Sequence, residues 1–118
     1  MTLGELINTL KSSPKDYLVV IKPYDLIPQG FTSYRGYYDE LALEYDIVGH
    51  CTVENLLKVA KKVIGKELMG YKGGNFLMTK NTPVWISNYG NTSNMLLTKV
   101  ESPFTGYVYI YGEYREIA

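Results

Sequence analysis

The chain is poor in the residues that catalytic and metal chemistry most often uses. It has one cysteine (Cys51), one histidine (His50) and two arginines in 118 residues. A lone cysteine excludes an intramolecular disulfide and fits a reducing compartment. One Cys and one His do not make a zinc cluster, and no carboxylate-rich metal loop is present. The phosphate loop, the dinucleotide glycine fingerprint and the nucleophile elbow are all missing. His50 stands beside Cys51 in sequence, but adjacency rarely gives base and nucleophile the approach in space that catalysis needs. A core or surface cysteine is therefore the expected reading of the thiol. The acidic pairs Asp39-Glu40 and Glu113 with Glu116 read as solvated surface. The expectation is a protein with no catalytic residues, no metal and no cofactor.

Neither sign of charge dominates. Twelve basic and twelve acidic residues cancel, so no broad field is available to hold a nucleic-acid polymer or an anionic membrane. A small phosphate-bearing ligand, gripped locally, stays compatible with that balance. No apolar run approaches the ~20 residues of a membrane span, and Met1-Thr2-Leu3-Gly4-Glu5 lacks the basic start of a secretory leader. The expected compartment is the cytoplasm. A hydrophobic fraction of 46% with 20% charged residues is that of a folded globular chain, read as one domain over residues 1–118.

Two helices and several short strands are written in the pattern. Thr2 with Glu5 forms a capping box, and Leu3, Leu6, Ile7 and Leu10 recur on one helical face until Ser12-Ser13-Pro14. Residues 17–21 are β-branched and apolar and read as a buried strand before Pro23. Pro23, Pro28 and Gly30 predict a loop over 23–33. Residues 40–46 alternate strictly, with Leu41, Leu43 and Tyr45 on the face to be buried. Thr52 caps a second helix whose inner stripe is Val53, Leu56, Leu57, Ala60, Val63 and Ile64, with Lys58, Lys61 and Lys62 outside and Gly65 ending it. Further strands are expected at 67–71, 84–88, 95–100 and 107–111, separated by turn chemistry. The predicted class is α+β, an antiparallel sheet with two helices.

Twelve tyrosines against three phenylalanines and one tryptophan is a heavy load for this length. Tyrosine suits stacking pockets and half-wet interfaces, and it equally fills exposed strand faces. Arg35 is enclosed by Tyr34, Tyr37 and Tyr38. That setting suits a planar grip on phosphate, or an ion pair with Asp39 or Glu40 that holds a bend. In Tyr71-Lys72-Gly73-Gly74-Asn75-Phe76 two glycines allow close backbone approach to an anion, with aromatic rings beside them; the same run also makes an ordinary hairpin turn. Tyr89-Gly90-Asn91-Thr92-Ser93-Asn94 is a third polar loop, able to hydrogen-bond a ligand or only water. Trp85 reads as core or interface packing.

The run Ser33-Tyr34-Arg35-Gly36-Tyr37-Tyr38-Asp39-Glu40-Leu41-Ala42 is followed in order by Ile64-Gly65-Lys66, Gly70-Tyr71-Lys72-Gly73-Gly74 and Thr82-Pro83-Val84-Trp85. This series resembles the first described family of Thoeris anti-defence proteins and covers most of the chain. The resemblance implies a phage-type sponge that binds glycocyclic ADP-ribose without cleaving it, so that the downstream bacterial effector is not activated. It also implies assembly from dimers into hexamers, with the signal held near a subunit interface and cyclic oligonucleotides bound at separate sites. Its matching motifs carry over Arg35 and Tyr37, and then Tyr71, Lys72, Gly73, Gly74, Asn75 and Phe76, as ligand-binding residues. Asn91 and Arg115 join them on chemistry alone, as an amide donor and the second arginine. An enzyme that degrades such a nucleotide through Glu40 or His50, and a protein-interaction module, are the competing expectations.

Overall fold

Helix α1 (Leu3–Lys11) begins where the capping box predicts. In the computed structural model, which describes residues 1–32, 41–69, 75–87 and 95–114, the Glu5 N–H donates to Thr2 Oγ1 at 3.2 Å. The Thr2 N–H returns a bond to Glu5 Oε1 at 3.0 Å. Two of the orphan donors at a helix start are satisfied in this way. The stripe of Leu3, Leu6, Ile7 and Leu10 is buried, and Ser12 closes the helix. Helix α2 (Val53–Val63) is capped by Thr52, whose hydroxyl accepts from the Asn55 N–H at 3.2 Å. Val53, Leu56, Leu57, Ala60 and Val63 are buried, while Lys58, Lys61 and Lys62 face solvent. Gly65 ends the element at φ +82°, a backbone region that a side chain would strain. Ile64 departs from the expected stripe: it is the C-cap residue beyond the last helical position, and it is exposed.

The strands are β1 (Leu18–Lys22), β2 (Ile27–Thr32), β3 (Leu41–Asp46), β4 (Glu67–Met69), β5 (Asn75–Leu77), β6 (Val84–Ile86), β7 (Met95–Phe104) and β8 (Tyr107–Tyr114). Six of them form one sheet in the order β1-β8-β7-β6-β3-β2, and β4 with β5 makes a separate two-stranded ribbon. The class is α+β as expected, but the sheet is mixed rather than antiparallel. Strand β1 runs parallel to β8, and β3 runs parallel to β6. The reason is connectivity. Both parallel pairs join strands far apart in sequence, and long crossovers permit parallel pairing where tight hairpins do not.

Strand β2 overturns the loop expected over 23–33. Residues 27–32 pair with β3 despite Pro28 and Gly30. Proline is tolerated because β2 is an edge strand, where a missing N–H need not break a ladder, and the register shifts between Pro28 and Gly30 to absorb the irregularity. Strands β7 and β8 also run longer than expected, to Phe104 and Tyr114.

The two helices and the inner face of the sheet share one core, in which Leu3, Leu6, Leu10, Ile21, Leu43, Leu56, Leu97 and Ile110 are almost wholly buried. The sheet curls until its two edges meet. The Ile21 N–H donates to Leu26 O at 2.7 Å and the Leu26 N–H returns to Ile21 O at 2.9 Å, so β1 and β2 close on each other at one end. Elsewhere the free edge of β1 is covered by the chain entering α2, where the Val19 N–H donates to Cys51 O at 2.8 Å and the Val53 N–H to Tyr17 O at 2.9 Å. Such covering removes the unpaired edge that would otherwise invite another strand. The register defines two rims. One carries Lys22, Ile27, Asp46, Ile86, Met95 and Tyr114; the other carries Leu18, Thr32, Leu41, Val84 and Tyr107.

Candidate functional site

At the closed rim the chain turns from β1 into β2 through Pro23, Tyr24 and Asp25. Asp25 takes φ +54°, a left-handed conformation that aspartate adopts more readily than most side chains, and its carboxylate pairs with Lys22. The mutual bonds of Ile21 and Leu26 pinch the turn, which leaves Tyr24 at its tip. Because β8 is the neighbour of β1, the end of β8 comes up beside that tip. The hydroxyls of Tyr24 and Tyr114 meet at 2.6 Å across 90 positions of sequence, and both side chains are more than half exposed (57% and 55%). By strand alternation Tyr114 shares the inward parity of Val108 and Ile110. It therefore ends β8 on the inward side of the sheet at this rim. Ile47 and Val48, which follow β3 at this same rim, are also exposed, and the Asp46 carboxylate accepts the Ile47 N–H at 2.7 Å.

The outer face of β8 carries a different aromatic set. Tyr107, Tyr109 and Tyr111 line up with ring centroids 6.2 and 6.4 Å apart. The Lys22 ammonium lies 4.7 Å from the Tyr109 centroid and the Lys99 ammonium 4.8 Å from that of Tyr111. Each lysine is neutralised in turn, Lys22 by Asp25 and Lys99 by Glu101 at 3.0 Å. Those hydrogen bonds hold both ammonium pKa values above the usual lysine range. For these three tyrosines, filling an exposed strand face accounts for the residue type.

Of the residues singled out from sequence, Asn75 and Phe76 are described and do not form a turn. Both belong to β5: Asn75 is exposed, while Phe76 opposes Leu68 and packs half-buried against the core. Pairing with β4 draws them out of the expected loop. Arg35, Tyr37, Tyr71, Lys72, Gly73, Gly74, Asn91 and Arg115 lie outside the described residues. Their flanks are informative. Thr32 and Leu41, which bracket Arg35, end at the open rim, whereas Ser87 and Met95, which bracket Asn91, and Tyr114, which precedes Arg115, end at the closed one. Met95 and Tyr114 are direct register partners.

Cys51 is buried, its Sγ directed at Thr52 O at 3.5 Å, and desolvation pushes its thiol pKa up. His50 is exposed. A raised thiol is a poor nucleophile at neutral pH. Trp85 is nearly buried, as packing requires, on the sheet face opposite Val84 and Ile86. Among the described residues no group of three His, Cys, Asp or Glu side chains is arranged to hold a metal ion. No helix among them is long and apolar enough to cross a membrane. Sequence reasoning missed Tyr24 and Tyr114, since neither belongs to a motif and their partnership exists only in the fold. Comparison with protein-family models, curated proteins and solved structures gave no match.

Proposed function

We propose that this chain is a binding protein that sequesters a glycocyclic ADP-ribose immune signal without cleaving it. It acts as an anti-defence sponge against the bacterial Thoeris system in the host-cell cytoplasm. The reading starts from the ordered motifs that resemble that family. One structural observation supports it: at the closed rim, Tyr24 and Tyr114 stand beside the strand ends that flank Asn91 and Arg115. An exposed aromatic pair offers stacking surface to a planar base, and the proposed amide of Asn91 and guanidinium of Arg115 would answer the charged phosphates. Arg35, Tyr37, Lys72 and the Gly73-Gly74 backbone complete the proposed contacts. Sequestration needs preformed donors and stacking faces, with no general base.

The test is native mass spectrometry with the signal, followed by heat denaturation. The expected result is a stoichiometric complex of a dimer or hexamer that returns the ligand intact. Recovery of a cleaved product would replace the sponge by a degrading enzyme. A parallel titration with cyclic oligonucleotides tests the separate sites.

A second reading draws on the tyrosine face of β8, whose neutralised lysines and half-exposed rings resemble a protein contact surface. A chain that ignores the nucleotide but captures one defined protein partner through Tyr107, Tyr109 and Tyr111 would favour an interaction module.

A further inference from the structure

The seven large hydrophobic side chains most exposed among the described residues are not scattered evenly. Tyr24, Ile47, Val48 and Tyr114 all follow or end strands at the closed rim. Of these, Tyr24 and Tyr114 are set apart by their hydroxyl bond, which ties the β1–β2 turn to the last residue of β8 at 2.6 Å. A surface tyrosine usually leaves its hydroxyl to water and samples several rotamers. Here the hydroxyls hold each other, so the rings are fixed in advance while more than half of each side chain stays in solvent. Fixing a flexible aromatic before a ligand arrives removes part of the entropic cost of binding.

The local charge says which part of a ligand this rim would take. Lys22 is the nearest cation in the turn, and Asp25 neutralises it. Asp46 and Glu113 stand exposed at the same rim, so its described part carries aromatic surface and net negative charge, which disfavours a phosphate and leaves an uncharged planar base as the fitting group.

We infer that Tyr24 and Tyr114 form a preset stacking wall for the adenine base of the bound nucleotide. This rests on the sponge reading above and adds two contact residues to it. The phosphates are then left to groups elsewhere in the site.

The experiment is calorimetric titration of glycocyclic ADP-ribose into the wild type, Tyr24→Ala and Tyr24→Phe, with thermal melting of each. Loss of one stacking ring weakens binding by about ten- to a hundredfold. Tyr24→Ala is expected to show that loss, with a melting temperature close to the wild type. Tyr24→Phe keeps the ring but loses the hydroxyl bond that presets it, and is expected to bind between the wild type and Tyr24→Ala. Unchanged affinity in Tyr24→Ala overturns the inference, and so does an equal loss in Tyr24→Phe. Should Tyr24→Ala fail to fold, nitration of the wild type by tetranitromethane decides instead. Bound ligand should protect Tyr24 and Tyr114 while Tyr107 goes on reacting, and equal nitration with and without ligand overturns the stacking wall. A wild type that does not bind the nucleotide at all removes the sponge reading itself, and this inference with it.

Discussion

Gly112 lies so close to Met95 that a Cβ built on it would come within 2.5 Å of the Met95 Cγ and Sδ, and 2.6 Å from Ile86 Cδ1. Three strands are locked together there, because Gly112 on β8 faces side chains from both β7 and β6. Gly112→Ala should therefore overpack the inner face, at a cost of about 1–3 kcal/mol. Urea unfolding measures it. Met95→Ala in the same background opens the needed space, so the double variant should be more stable than the sum of the single losses predicts. Strict additivity would mean that the clash is relieved elsewhere.

The N-terminal capping box gives a pH-dependent prediction. The Glu5 carboxylate accepts the Thr2 N–H, which with the Thr2 hydroxyl contact holds its pKa below the usual glutamate value. A depressed folded-state pKa stabilises the protein above the unfolded pKa, and that contribution is lost as pH falls through the folded value. The stability difference between wild type and Glu5→Gln should thus shrink between about pH 7 and pH 3. Thr2→Ala removes the cap itself and should cost about 1 kcal/mol. A gap between wild type and Glu5→Gln that is independent of pH would contradict the pairing.

Those two examples mark what was legible in the sequence and what was not. The helices were, because capping and the spacing of Leu3, Leu6, Ile7 and Leu10 act within a few residues of one another. Strand β2 was not, because Pro28 and Gly30 read locally as turn residues, and the edge position and register shift that admit them to a strand are properties of the whole sheet. The parallel pairing of Val19 with Val108 was equally hidden, since no local pattern encodes direction between distant strands. The same limit applied to the site. Tyr24 sits among Pro23 and Asp25 like any turn residue, and only the closing of β1 on β2 brings it to Tyr114. Asn75 and Phe76 read as part of a glycine turn because two adjacent glycines dominate the local pattern, while pairing with β4 decides their structure.

Cys51 separates a structural thiol from a catalytic one. Burial raises its pKa, so the neutral form is favoured in the fold; the associated stability is present below the unfolded pKa and is lost as pH rises through the folded value. At about pH 8, iodoacetamide should alkylate the native protein far more slowly than the urea-unfolded chain. Cys51→Ala should leave nucleotide binding unchanged. Fast native alkylation, or product formation abolished by this substitution, would revive an enzymatic role for the His50-Cys51 pair.

The two rims set a geometric problem for the proposed arginines. Thr32 and Leu41 flank Arg35 at the open rim, and Tyr114 precedes Arg115 at the closed one. Strand β3 alone, from Leu41 to Asp46, spans roughly 17 Å between them. If the proposed pocket is shared between two subunits, both rims can contribute to one site. If the two arginines grip phosphate as proposed, Arg35→Ala and Arg115→Ala should each weaken binding markedly with little change in melting temperature. Unfolding and refolding the two variants together then tests the arrangement. In a two-fold dimer with shared pockets, random mixing restores about one quarter of the sites, since each mixed dimer contains one intact pocket. Recovery of that fraction by calorimetry is the expected outcome. If the mixture binds no better than either variant alone, both arginines act within a single chain, and the segment carrying Arg35 must reach the closed rim of its own subunit.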